Sequence, residues 1–171
     1  GRFLDRLDMQ RVGMFGFSLG GATTLQFCHD DSRCKAGIDV DGAPIGSVIG
    51  KGVTQPFMFL MEDMSKCDAD AECRQIEGNI RSIYDRLPSD RRYQIMIRGA
   101  NHFGFSGDGA MLKSPLVMRV LHTLGIMPLD GRRQIAVTEH YISAFFDVYL
   151  KGAPASALKS QPEYPEVEYV H

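Results

Sequence analysis

The sequence predicts an α/β fold in which a parallel sheet is covered by helices on both faces. Strand-like and helix-like segments alternate along the chain, with no internal repeat or low-complexity tract between them. The run Pro56-Phe57-Met58-Phe59-Leu60-Met61 is apolar at every position, as a strand buried on both faces must be. With 171 residues, of which 44% are apolar and 23% charged, the chain has the length and composition of one globular domain with a substantial core.

Arg11-Val12-Gly13-Met14-Phe15 reads as the first strand, and Gly20 to His29 as a helix whose first turn is built from small residues. A polar turn, Asp30-Asp31-Ser32-Arg33, leads to a second strand from Ala36 to Val40, stopped by Gly42-Ala43-Pro44. A glycine-rich loop from Ile45 to Gln55 precedes the apolar third strand. Between Ala71 and Leu87 the residues Ile76, Ile80, Ile83, Tyr84 and Leu87 recur at helical spacing, and Pro88-Ser89-Asp90 ends that helix. Tyr93 to Ile97 is the fourth strand, and Arg98 to His102 the loop after it. Arg132 to Leu150 carries Ile135, Tyr141, Ile142, Phe145, Phe146 and Tyr149 on a broad apolar face, a long packing helix. Lys151-Gly152-Ala153-Pro154 closes it with a basic residue, a glycine and a proline. The tail from Ser156 to His171 is polar and proline-punctuated, which predicts a course along the surface.

Several function classes are excluded at this level. A net charge of −2, with acids and bases mixed, offers no basic stripe for a nucleic-acid backbone. No apolar run approaches the roughly 18 residues that span a bilayer; Gly1-Arg2-Phe3-Leu4-Asp5 lacks the apolar core of a signal peptide, which carries little weight in a chain expected to begin in mid-fold. The four cysteines form two equally spaced pairs, Cys28 with Cys34 and Cys67 with Cys73, and neither spacing is the short CxxC of zinc sites. No metal or cofactor is therefore expected. Cys67 and Cys73 bracket a polar loop that a disulfide can close in an oxidising compartment, or that carries two free thiols. Cys28 lies on an apolar helix face, where buried packing is its default role. The paired cysteines favour a secreted or periplasmic setting.

Gly16-Phe17-Ser18-Leu19-Gly20 is a G-x-S-x-G motif between an apolar strand and a small-residue helix, the context that makes this pattern a nucleophile elbow. A serine hydroxyl is a poor nucleophile in water, so the turn has to thrust Oγ beyond the sheet, where a histidine takes its proton. Side chains two residues before and two after the serine would collide, which calls for glycine at both Gly16 and Gly20. Gly21 and Ala22 let the helix approach the strand. The Leu19 backbone N–H, at the helix start, is the first donor to the oxyanion of acyl transfer.

The base predicted for Ser18 is His102, in a glycine-containing loop after the last short strand. His29 reads as a helix end, His122 and His140 as lying within helices and His171 as terminal. The acid must accept the Nδ1–H of the histidine at the same sheet edge. Asp41 ends the second strand; Glu62 and Asp63 end the third. Asp39 shares Asp41's side of the strand, one pleat deeper. Strand-end geometry alone leaves Asp41 and Asp63 open, with Asp39 and Glu62 behind them.

Three segments carry a family resemblance: Gly16 to Thr23, Gly37-Ile38-Asp39-Val40-Asp41, and Ile97-Arg98-Gly99-Ala100-Asn101-His102. Over Gly13 to Phe105 the chain resembles the platelet-activating-factor acetylhydrolases of the α/β-hydrolase fold and their dienelactone-hydrolase-like bacterial relatives. Ala144 to Gly152 is similar to the terminal helix of those relatives. The resemblance implies that the acid follows the strand after the nucleophile helix, favouring Asp41 over Asp63. Phe17 departs from it, standing where many members have histidine. It also implies several strands and a loop ahead of the elbow, the loop supplying the second oxyanion donor. The expectation is therefore that residues 1–171 form the C-terminal part of a single α/β-hydrolase domain. The N-terminal strands and the second donor would lie outside this chain, on a fragment packed against it. A homo-oligomer is also compatible with the sequence.

The function expected is a serine hydrolase cleaving carboxylic esters through an acyl-enzyme. The resemblance implies short acyl groups and a small ester or lipid-like substrate, and lipase, polyester and lactone substrates use the same chemistry. The alternative from another class is a non-catalytic α/β-hydrolase module for binding or assembly, against which the intact serine, acid and histidine speak.

Overall fold

The computed structural model describes residues 7–65, 67–107, 114–159 and 163–170. In chain order the elements are β1 (Val12–Phe17), α1 (Leu19–Asp30), β2 (Cys34–Val40), α2 (Val48–Lys51), β3 (Phe57–Met61), α3 (Ala71–Arg86) and β4 (Arg92–Ile97). Then follow α4 (Pro115–Thr123), α5 (Gly131–Lys151), α6 (Ser156–Lys159) and β5 (Val167–Tyr169). Single 3-10 turns occupy Cys67–Ala69 and His102–Ser106.

The strands form one sheet in the order β1-β2-β3-β4-β5, parallel as far as β4. Every residue of β3 is buried, and its alternation feeds two cores. Met58 and Leu60 meet Val137, Tyr141 and Phe145 of α5 on one face. Phe57, Phe59 and Met61 meet Leu25 of α1 and Ile80 and Ile83 of α3 on the other. This is the sheet covered on both faces that the continuous apolar run predicts.

The helix ends obey capping chemistry. Asp70 accepts from Glu72 N and Cys73 N at the start of α3, and Asp130 accepts from Arg132 N and Arg133 N at the start of α5. Gly152 closes α5 at φ 77°, a left-handed conformation that suits glycine, as the Lys-Gly-Ala-Pro signal predicts. On α4, Leu116, Val117 and Val120 face outward and exposed.

Three expectations need correction. The tail does not only run along the surface, because Val167–Tyr169 pairs antiparallel with β4, with Val167 buried. A three-residue strand is too short to show a period in sequence. The loop from Ile45 to Gln55 contains the single turn α2. Cys28 is buried but does more than pack, since it is disulfide-bonded to Cys34 and so ties α1 to the start of β2. The Cys67–Cys73 bridge is formed as well. Among the described residues no helix is long and apolar enough to cross a membrane. His171 lies outside the described residues.

Candidate active site

β1 hands over to α1 through Ser18, which sits at φ 56° and ψ −120°. For a residue with a Cβ this conformation costs about 1–3 kcal/mol, so the surrounding bonds must hold it. Ser18 N donates to Val40 O at 2.9 Å, and Ser18 O accepts from Gly21 N at 2.9 Å and Ala22 N at 3.1 Å. Serine at a helix N-cap ordinarily turns its hydroxyl back onto the first amides. Here the side chain makes no capping bond, which leaves Oγ pointing outward.

The glycines around it have different jobs. A Cβ on Gly16 would lie 2.3 Å from the carbonyl of Gly20, so only glycine fits there. A Cβ on Gly20 would meet nothing within 4 Å, which corrects the expectation that both positions are crowded. The collision is between a side chain at 16 and backbone at 20. Gly21 is needed for another reason: its Cβ would come within 1.9 Å of Asp39 Oδ1. Leu19 is the first residue of α1, so its N–H belongs to the first-turn amides that have no intrahelical partner.

Asp41 follows β2 at φ 54°, with its N–H on Leu60 O at 2.9 Å. Its Oδ1 accepts from Glu62 N at 2.8 Å, and its Oδ2 lies 2.7 Å from His102 Nδ1. The other ring nitrogen, Nε2, lies 3.1 Å from Ser18 Oγ. With Asp41 ionised, Nδ1–H donates to the carboxylate and Nε2 is left to accept from the serine hydroxyl. The structure thus joins Ser18, His102 and Asp41 in one hydrogen-bonded line, across sequence separations of 84 and 61 residues.

The remaining acids take other positions. Asp63 Oδ2 accepts from Gly99 N at 2.8 Å and its Oδ1 from Ser65 N at 3.1 Å, so it holds the loop that leads to His102. Glu62 stands beside Asp41 and His102, and burial, then the Asp41 charge, push its carboxyl upward while His102 pulls against them. Asp39 is fully buried beneath the elbow, its Oδ1 accepting from Gly42 N at 2.8 Å and its Oδ2 without a partner. Burial pushes the carboxyls of Asp39, Asp41 and Glu62 all upward. For Asp41 the bonds from Glu62 N and His102 pull against it; for Asp39 and Glu62 the neighbouring Asp41 charge adds to it.

Two further residues hold the histidine, one without any sequence signature and one inside the G-x-S-x-G motif. Gln134, fully buried on α5, accepts from Asn101 N at 3.3 Å and donates to Asn101 O at 2.9 Å, and so clamps the residue before His102. A lone glutamine in a helical pattern offers nothing to single it out. Phe17 stacks at 4.7 Å between ring centroids on the His102 imidazole. His29 instead bonds Gly52 O, and His140 pairs with Glu163.

Among the described residues Asp41, Glu62 and His102 bring ligand atoms within 4.8 Å of one another, a set able to hold a metal ion. Both imidazole nitrogens already have partners, so an ion would have to displace Asp41 or Ser18 from the ring. A cleft of about 300 Å³ opens beside this group, lined by Ser18 and His102 and by Met61, Met64, Cys73 and Ile76 among others.

Residues 2–153 match the family model of platelet-activating factor acetylhydrolase, isoform II. The chain belongs to that family. All of Ser18, Asp41 and His102 fall within the matched acetylhydrolase region. Among acetylhydrolase relatives, the platelet-activating factor acetylhydrolase of Bos taurus is 32% identical over 104 residues, covering 59% of this chain and 21% of the relative. A probable 1-alkyl-2-acetylglycerophosphocholine esterase of Arthroderma benhamiae is 25% identical over 94% of this chain and 43% of its own length. A ferulic acid esterase from Streptomyces cinnamoneus superposes with a TM-score of 0.76 at 26% identity, over 97% of this chain and 48% of the esterase. The fold is that of the α/β-hydrolases, and the chain spans less than half the length of these relatives.

Proposed function

We propose that this chain carries the acyl-transfer residues of a serine ester hydrolase, with Ser18 as nucleophile, His102 as general base and Asp41 as the acid that orients it. The observation that carries the reading is the line from Asp41 Oδ2 through His102 to Ser18 Oγ, at 2.7 Å and 3.1 Å, ending on a strained turn that frees the hydroxyl. Ser18 Oγ attacks the ester carbonyl while its proton passes to His102 Nε2. Asp41 stabilises the imidazolium through Nδ1–H. The tetrahedral oxyanion takes a hydrogen bond from Leu19 N–H at the start of α1. His102 then gives its proton to the leaving alkoxide, and the acyl group stays on Ser18. Water, deprotonated by His102, attacks that acyl-serine; the carboxylic acid leaves and Ser18 recovers its proton.

The relatives named above are an acetylhydrolase, a probable 1-alkyl-2-acetylglycerophosphocholine esterase and a ferulic acid esterase, so the substrate proposed is a small or lipid-like carboxylic ester. The cleft of about 300 Å³ suits a short acyl group. β1 has β2 as its one strand neighbour among the described residues. We read residues 1–171 as the C-terminal part of one hydrolase domain, whose other strands pair with the open edge of β1 and supply the second oxyanion donor. A lone, well-folded 19.0 kDa monomer in size-exclusion chromatography with mass spectrometry would contradict that reading. The two disulfides favour a secreted or periplasmic location.

A fluorophosphonate probe tests the assignment. Modification mapped to Ser18, and lost in Ser18→Ala, is the expected result. A correctly folded, complete protein that stays unlabelled and hydrolyses no ester would point instead to a binding or assembly module.

A further inference from the structure

Asp41 sits at φ 54°, a conformation that residues with a Cβ rarely adopt, so the turn after β2 needs ties to keep it there. Two of them run to the next strand: Asp41 N donates to Leu60 O at 2.9 Å, and Asp41 Oδ1 accepts from Glu62 N at 2.8 Å. The third belongs to Asp39. Its Oδ1 accepts from Gly42 N at 2.8 Å and so closes the turn around Asp41, from two residues before it to the residue after it. Both Asp39 and Gly42 are buried.

This turn abuts the nucleophile. A Cβ on Gly42 would come within 2.5 Å of Ser18 O and 2.8 Å of Ala22 N, and a Cβ on Gly21 would come within 1.9 Å of Asp39 Oδ1. The Asp39 carboxyl is therefore wedged between the first turn of α1 and the turn that carries Asp41. Val40, between the two acids, accepts from Ser18 N at 2.9 Å. Asp39 is not among the residues that line the Ser18 cleft. A carboxyl is a costly side chain to place in such a position, since its Oδ2 has no partner and its one hydrogen bond goes to the turn.

We propose that Asp39 is a positioning residue: by holding Gly42 N it fixes the left-handed turn that carries Asp41 and sets that turn against the nucleophile bend, a role that rests on the reading of Ser18, His102 and Asp41 given above. Removing the acceptor leaves a buried N–H unpaired, so the turn relaxes. Asp41 Oδ2 then moves away from His102 Nδ1, which lies 2.7 Å from it. A misplacement of about 1 Å in such a line can cost about 100-fold in rate.

The test uses the complete protein and 4-nitrophenyl acetate. Asp39→Leu keeps the approximate shape of the side chain and removes the acceptor; it should lower kcat by about 100-fold and change KM by less than about 2-fold, a loss felt only in the transition state. Asp39→Asn keeps the acceptor and should restore kcat to within about 3-fold of wild type. In the Asp41→Asn background, Asp39→Leu should have almost no further effect on kcat, because a residue that acts through Asp41 has nothing left to act on. Asp39→Ala repeats the measurement if leucine crowds Gly21 and prevents folding. An unchanged kcat in Asp39→Leu, equal losses in Asp39→Leu and Asp39→Asn, or losses that multiply in the double variant would overturn the proposal. So would failure of both the leucine and the alanine variants to fold while Asp39→Asn folds, as read by far-UV circular dichroism, since the role is then structural. Asp41→Asn reports separately on the underlying reading. An unchanged kcat there removes the triad assignment and this role with it, whereas a lowered kcat there beside an unaffected Asp39→Leu removes only the role of Asp39.

Discussion

Replacing Asp39 by asparagine should flatten the pH dependence of stability while leaving the elbow intact. The carboxyl is fully buried between Gly21 and Gly42, where a Cβ on either glycine would come within 1.9 Å and 2.4 Å of Oδ1. Burial, and after it the charge of Asp41, raises its pKa well above the ordinary 3.8. In the window between 3.8 and the raised value, the unfolded chain has released this proton and the folded chain still holds it. The unfolded state therefore binds fewer protons, and stability falls as pH rises. The contribution is fully present below 3.8 and is lost as pH climbs through the folded value.

A neutral acid and an amide have the same shape, so the asparagine side chain of Asp39→Asn would keep the acceptor that Gly42 N reaches at 2.8 Å, and it has no proton to lose. The stability difference between Asp39→Asn and wild type should grow in favour of the variant by up to about 1.4 kcal/mol per pH unit within that window. Urea denaturation of both proteins at a series of pH values from 3.8 upward measures it. A difference that stays constant as pH rises above 3.8 would refute the claim that burial holds the Asp39 proton in the folded protein.

Gly16→Ala should destabilise the protein by about 1–3 kcal/mol and remove ester hydrolysis, since its Cβ meets the Gly20 carbonyl at 2.3 Å. Gly20→Ala, which meets nothing within 4 Å, should be neutral or stabilising by up to about 1 kcal/mol; thermal melts of the pair separate the two cases. Asp41→Asn should lower kcat by about 10⁴ with little change in far-UV circular dichroism, because the amide favours the wrong imidazole tautomer. The double change Cys28→Ala with Cys34→Ala opens a link of sequence separation 6 and should cost about 2 kcal/mol in urea denaturation. Active protein with an unchanged midpoint would show that this bridge does not stabilise the fold.

The sharp turn at Ser18 was legible because its pattern is local. A glycine, a serine and a strand-to-helix change of period lie within a few residues, and the backbone there has few alternatives. Strand-end geometry made the acid legible only as a short set of candidates, among which the family resemblance favoured Asp41. Asp39, Asp41, Glu62 and Asp63 all sit near strand ends, and telling them apart depends on which carboxylate the pleat, the positive φ of Asp41 and the loop anchored by Asp63 leave beside His102. Gln134 was not legible at all, since a buried polar residue on a helix face looks like any solvated one until its partner loop is known. The disulfide at Cys28 was missed because an apolar helix face accounts for a buried cysteine without a bridge.

The amino-acid sequence by itself determined the strand and helix order, the doubly covered β3, the bend at Ser18 and the family to which the chain is similar, because each of these is written in contiguous residues and their period. Tertiary structure alone decided which carboxylate faces the imidazole, that β5 joins the sheet antiparallel and that Gln134 clamps the histidine loop. Those outcomes depend on distances between segments up to 84 residues apart, and a linear pattern carries no information about such distances until the sheet brings the ends of its strands together.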